Sequence, residues 1–271
     1  MSDRANVVPM VTASADGRGS GKRLRRHTSE SVASDGVSAE DSIARRREAL
    51  TSTFSALFGC LDQRGVAELA GRARIRRFEK GNVLMQAAAG ARVHLLLSGA
   101  VKWTIRCPRG RSDLVLDVLR AGDVFGDSEF FADGSPVYRA TAVSGGEALV
   151  ITPGHLQEIM LRHSEFSLRW LAVNCDRLHR VRRLVADTVF LDVSERFYRR
   201  LLDICRTDGA GVNDGHRFEH GLSQRELACA VGTSRESLNK LLAKWQRRGV
   251  ATVGRGVLIV HDVREVAGRA K

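Results

Sequence analysis

Arg235, Glu236, Asn239 and Lys240 fall within one short run of a 271-residue chain. Each side chain is long and polar, and each suits one edge of a base pair. Arg and Lys donate to guanine O6 and N7, Glu accepts from cytosine N4, and Asn pairs with adenine. Glu236 has a second reading, because it stands three residues after Thr233 with the spacing of a capping-box partner. Leu238, Leu241, Leu242 and Trp245 occupy i, i+3, i+4 and i+7 of the same run, an apolar stripe that turns the polar set and Lys244 outward.

Two elements must hold that run in place. Ser223-Gln224-Arg225-Glu226 has the capping-box form and opens a short helix with Leu227, Ala228 and Val231 on one face. Gly232 ends it, and Thr233 or Ser234 caps the next helix at once, which is a helix-turn-helix. Residues 251–253 and 257–260 then flank Gly254-Arg255-Gly256, a two-stranded wing with Arg255 at its tip. Between Gly221 and Gly256, seven basic residues stand against two acids, an excess of five positive charges that suits phosphate.

The whole chain carries a net charge of +12, which points the same way. Its five cysteines, Cys60, Cys107, Cys175, Cys205 and Cys229, are odd in number and form no Cys-x-x-Cys. That speaks against a disulfide framework and a structural zinc. No apolar run approaches the ~20 residues of a membrane span, and the N-terminus lacks a signal-peptide stretch. The reading is a cytoplasmic chain with reduced thiols.

Upstream, residues 1–48 are rich in Ser, Gly, Ala and Arg and read as a disordered tail with a basic cluster at 21–27. A helix begins near Ser42 and runs on through Phe54, Leu57 and Phe58. Within 49–163, β-rich runs at 75–78, 83–86, 93–97, 101–105, 114–119 and 148–151 alternate with glycine turns, as in an antiparallel sandwich or barrel. Thr152-Pro153 starts a helix. A long helix follows in 164–191, where Leu168, Leu171, Cys175, Leu178 and Val185 repeat at 3-4 spacing, the seam of a two-helix coiled coil with Arg182 on it. Asp192-Val193-Ser194-Glu195 caps the helix that opens the last domain, 192–271, with Phe197, Leu201 and Ile204 on its apolar face. The fold class is α+β: an antiparallel β-roll, a dimerisation helix and a winged helix-turn-helix.

From about residue 54 to 265 the chain resembles the cyclic-AMP receptor/fumarate-nitrate regulator family of bacterial transcription factors. The resemblance rests on Leu222-Ser223-Gln224-Arg225-Glu226-Leu227-Ala228, on Gly232-Thr233-Ser234-Arg235-Glu236-Ser237-Leu238, on the hinge-like run 190–196, and on Phe78-Glu79-Lys80-Gly81, Leu97-Ser98-Gly99 and Gly122-Asp123-Val124-Phe125-Gly126. It implies a homodimer on near-palindromic double-stranded DNA. Arg235, Glu236 and Lys240 then correspond to base-reading positions, with Asn239 beside them. Ser223, Arg225, Ser234 and Ser237 correspond to positions near phosphate, joined by Arg255 of the wing. RNA polymerase is a further candidate partner, and a membrane is not.

The effector pocket implied by the family is altered here. Members that bind cyclic AMP carry Phe-Gly-Glu and then an Arg-Ser-Ala-type run, the Glu holding the ribose and the Arg the cyclic phosphate. This chain has Phe125-Gly126-Asp127, a shorter acid. Aligning Ala140-Thr141 with the family's Ala-Thr places Tyr138 at the arginine's position and Arg139 one residue off, on the other face of a strand. Val181 and Arg182 stand where the family has small hydroxyls. Cyclic AMP, another ligand, and a pocket kept as scaffold in an effector-independent or redox-modulated protein all stay open, the redox reading through Cys175. The cysteines form no cluster for an iron-sulfur sensor, and no haem ligands stand out. A cupin-like metalloenzyme needs several convergent ligands, and the roll offers His94 alone, which reads as a core or rim residue.

Overall fold

The computed structural model describes residues 39–86, 92–106, 113–127, 138–205 and 216–266. The basic cluster at 21–27, most of the segment read as a tail, Cys107 and the glycine-rich run at 207–211 lie outside them. Eight strands build the N-terminal half: β1 Arg74–Phe78, β2 Val83–Gln86, β3 Val93–Ser98, β4 Val101–Ile105, β5 Leu114–Leu119, β6 Val124–Phe125, β7 Tyr138–Ala142 and β8 Gly146–Ile151. They form two antiparallel sheets, ordered β1-β8-β3-β6 and β2-β7-β4-β5.

The sequence pattern of the first sheet follows from burial on both sides. Leu96, Phe125 and Ala148 face the second sheet, in a core with Val101, Leu119 and Ala140. Val93, Leu95, Leu149 and Ile151 face helices, in a core with Phe58, Leu69 and Phe166. Strands buried twice read as continuous apolar runs rather than alternating ones. The helices concerned are α1 Ala39–Thr51, α2 Ser55–Phe58, α3 Gln63–Arg72, α4 Pro153–Arg162 and the N-terminal part of α5 Ser164–Phe190.

Two expectations need correction here. α1 starts at Ala39, ten residues inside the segment assigned to the tail. Its sequence is polar and arginine-rich, so composition resembles a tail. Tertiary contacts hold it: Arg46 donates to the carbonyl of Ala73, Arg45 pairs with Glu147 at 2.6 Å, and Leu50 is fully buried. The strand runs read from sequence also omit β6 and β7. β6 is two residues long, and β7 is small and polar enough to resemble a loop. α3, capped by Asp62 accepting from the Gly65 amide at 2.7 Å, went unread as well.

The C-terminal half comprises α6 Val193–Cys205, β9 His216–Glu219, α7 Gln224–Val231, α8 Arg235–Arg247, β10 Ala251–Val253, β11 Val257–Val260 and α9 Val263–Val266. Phe197, Leu201 and Ile204 of α6 meet Leu227, Val231, Leu238, Leu242 and Trp245 in one core. Val115 and Val118 of β5 belong to that same core. Residues three apart in a regular strand point to opposite faces. Here the β4–β5 register shifts between Trp103 and Thr104, so that Leu116 is an extra residue, and both valines reach the C-terminal core.

Candidate nucleic-acid interface

α7 begins with both arms of its capping box. The Glu226 amide donates to Ser223 Oγ at 3.3 Å, and Glu226 Oε2 accepts from the Ser223 amide at 2.8 Å. Gly232 ends the helix at φ 71°, a conformation L side chains rarely adopt. Ser234, not Thr233, caps α8, its hydroxyl accepting from the Ser237 amide at 3.0 Å. Glu236 is therefore free of capping duty. It pairs instead with Lys240 Nζ at 2.8 Å, one turn on, with both side chains largely exposed.

Arg235, Glu236 and Lys240 project from the exposed face of α8, while Leu238, Leu242 and Trp245 are buried beneath it. Asn239 differs from its neighbours. It is half-buried, and its Oδ1 is enclosed without a hydrogen-bond partner among the described residues. Ser223, Arg225, Ser234 and Ser237 are exposed at the N-termini of α7 and α8, where unpaired amides and the helix dipole favour an anion. Arg255 is exposed in the turn between β10 and β11, which the Gly254 amide closes on the Val257 carbonyl at 2.8 Å. The wing is a three-stranded sheet, β10-β11-β9, rather than the hairpin read from sequence. β9 is only four residues long and far from its partners in the chain, so local patterning did not reveal it.

The effector-pocket residues are brought together only in part. Gly126 has φ 86°, and a Cβ there would lie 2.1 Å from the Arg92 carbonyl, so glycine is required. Asp127 is buried, and both of its carboxylate oxygens accept from Arg177 Nη1 at 3.0 Å. Arg177 also donates to the Val124 carbonyl, tying α5 to the end of β6. Tyr138 packs with the core between the sheets and stacks on Trp103 at 5.3 Å. Ala140 and Ala142, of the same parity, are in that core, so Arg139 points to the opposite face of β7. Val181 and Arg182 are exposed on α5. His94 is a core residue: it is 1% exposed, stacks on Phe125 at 4.7 Å and places Nδ1 3.1 Å from the Arg92 carbonyl. Burial and the charge of Arg76 lower its pKa to about 4.

Sequence reasoning missed Arg177, Lys102 and Arg200. Arg177 lies one turn before Val181, and that spacing was its only signal. Lys102 Nζ bonds Glu226 Oε1 across the two halves. Burial acts to raise the Glu226 carboxyl, but the bonds from Lys102 and Ser223 outweigh it and hold it below its ordinary range. On α5, Leu168, Leu171, Leu178, Val185 and Val189 are 48% to 69% exposed, and Cys175 is exposed between them. Among the described residues no helix is long and apolar enough to cross a membrane, and no group of three His, Cys, Asp or Glu is placed to hold a metal.

Residues 75–163 match the model of the cyclic nucleotide-binding domain, and residues 195–267 that of the Crp-like helix-turn-helix domain. The CRP-like cAMP-activated global transcriptional regulator of Mycobacterium tuberculosis is 31% identical over 217 residues, spanning 79% of this chain and 96% of that protein. The chain belongs to the CRP/FNR family of transcription regulators. A second relative, the cAMP-activated global transcriptional regulator Vfr of Pseudomonas aeruginosa, is 29% identical over 174 residues, 62% of this chain and 80% of that one. The fold is that of a CooA mutant from Carboxydothermus hydrogenoformans (TM-score 0.59, 24% identity, 72% of this chain and 86% of that one). It is also that of the c-di-GMP responsive regulator CLP of Xanthomonas campestris (TM-score 0.60, 22% identity, 75% and 100%). As a CRP/FNR protein, the chain carries a DNA-binding winged helix-turn-helix behind a cyclic-nucleotide-binding-type β-roll.

Proposed function

We propose that this CRP/FNR protein is a cytoplasmic homodimer that lays α8 of each protomer into the major groove of a near-palindromic site. Arg235, Glu236 and Lys240 read base edges there, while Ser223, Arg225, Ser234, Ser237 and Arg255 hold phosphates. The observation that carries this reading is the exposure of all these residues on one winged helix-turn-helix whose apolar stripe is fully committed to its core. Asn239 is the weaker member of the reading set, since its carbonyl is turned inward. The exposed apolar seam of α5 supports the dimer. The test is binding to specific and random duplexes across a salt series. A steep inverse dependence on salt supports phosphate neutralisation, and a flat response sinks the proposal.

Cyclic AMP is the first effector to test, because two relatives are cAMP-activated regulators. One observation favours a second reading, in which DNA binding is independent of an effector. Asp127, the candidate ribose acid, already has both carboxylate oxygens engaged by Arg177, and Arg139 lies on the face of β7 opposite Tyr138 and the core between the sheets. Calorimetry with cyclic AMP and cyclic GMP, beside DNA affinity with and without each, separates the two. An effector acts only by binding one conformer better than another.

A further inference from the structure

A cavity of about 290 Å³ lies between the wing and the start of α7, near the lower end of the size range of small-molecule sites. Phe197, Leu227, Leu242 and Leu258 line it, all of them buried. The wing turn lines it too, and the Gly256 carbonyl accepts from the His220 and Gly221 amides at 3.1 and 3.2 Å. His220, also in the lining, is 6% exposed, and its Nδ1 accepts from the Leu222 amide at 3.1 Å. Burial lowers its pKa, so the ring is neutral and carries its proton on Nε2. That N–H has no hydrogen-bond partner among the described residues, and unlike His216 Nε2 it is not enclosed by protein atoms. It therefore opens onto the cavity. A nearly buried donor without an acceptor is unfavourable, and a bound acceptor removes that cost. Exposed Arg255, and Ser223 with Gln224 at the N-terminus of α7, add positive potential to the same lining, which contains no carboxylate among the described residues. DNA contact uses Arg255 and Ser223 of this set, but neither His220 nor the apolar walls.

We propose that this cavity binds a small organic acid, with its apolar body against Leu227, Leu242 and Leu258 and its carboxylate between His220 Nε2 and Arg255. None of the lining residues belongs to the β-roll, so the site is separate from the nucleotide-type pocket. A neutral apolar ligand leaves the His220 donor unmet, and a bare anion leaves the apolar walls in contact with water. An acid with an apolar body meets both, and its carboxylate gains charge-assisted hydrogen bonds. The Arg255 guanidinium is also a proposed phosphate contact, so acid and DNA compete for it. That consequence rests on the proposed DNA-binding function. Bound acid lowers DNA affinity, and DNA weakens the acid by the same factor.

The experiment titrates the full-length protein with 3-phenylpropionate, 3-phenylpropanol and acetate, read by calorimetry and by the chemical shifts of His220 and residues 253–258. Expected is saturable binding of 3-phenylpropionate, with shifts at those residues, about tenfold weaker binding of the alcohol, and none of acetate. His220→Phe keeps a ring and removes the donor, and should weaken the acid about tenfold. Val257→Phe fills the cavity from a half-buried position and should abolish binding, so it serves if His220→Phe fails to fold. With the acid at saturation, affinity for a specific duplex should fall about threefold and the salt slope by about one, as one phosphate contact is given up. Absence of saturable 3-phenylpropionate binding overturns the site. Equal affinity for acid and alcohol overturns the role of the carboxylate. Undiminished binding in Val257→Phe, or in a folded His220→Phe, overturns the location. Unchanged or higher DNA affinity with the acid bound overturns the competition. A wild type that binds no duplex overturns the DNA-binding reading itself, while the calorimetry still decides the site.

Discussion

Arg235 and Glu236 are adjacent in the first turn of α8, yet they are poised differently. Glu236 is paired with Lys240 at 2.8 Å before any DNA arrives, so base contact by either must break or share that pair. No such ion pair with Arg235 is found among the described residues. Replacing Arg235 by Ala should therefore cost about 1–3 kcal/mol at one base pair of the site. Competition with single-base operator variants checks this, and an equal loss on random DNA would contradict a base-reading role. His94 makes a different prediction. Its folded pKa, about 4, lies below its unfolded value, so the unfolded chain takes up the proton first as pH falls. His94 thus contributes no penalty above about pH 6.5, and stability is lost progressively from there down to pH 4, by about 3 kcal/mol in full. Urea melts across that window should show the loss in the wild type and a smaller one in His94→Leu.

At the scale of elements, legibility followed how local the causes are. The helix-turn-helix was read almost residue by residue because its capping box, its left-handed glycine and its apolar stripe are all set within a few positions. The choice between Thr233 and Ser234 as cap was left open, since both hydroxyls have suitable spacing and only backbone geometry decides. The start of α1 was read about three residues late, and 39–48 was assigned to the tail, because what holds it is distant: Glu147 on β8 and the Ala73 carbonyl before β1. Removing residues 1–38 should leave the melting temperature unchanged. Removing 1–48 should destabilise the protein by about 1–3 kcal/mol, because it deletes Ile43, Arg45 and Arg46 from the helical layer. Calorimetric melts of the two truncations test the contrast, and identical melts would mean that α1 adds nothing to the fold.

For the whole molecule, the seam on α5 is proposed to bring two reading heads together. Leu178→Asp places a charge in the middle of the seam, where Leu178 is half exposed in the protomer. It should yield a folded monomer by sedimentation velocity. Affinity for a palindromic duplex should fall by about 100-fold or more, as the two half-sites cease to act together. A dimeric Leu178→Asp variant would move the interface elsewhere. Residue types and spacing alone already specified the reading helix and its polar face, because recognition there depends on periodicity and caps within one segment, while the family rested on a resemblance. Tertiary structure alone decided that Asp127 pairs with Arg177 and that a β-bulge delivers two valines and two carbonyls to the C-terminal core. Each of those depends on register and on side chains 50 or more positions apart meeting in space, which local spacing does not encode.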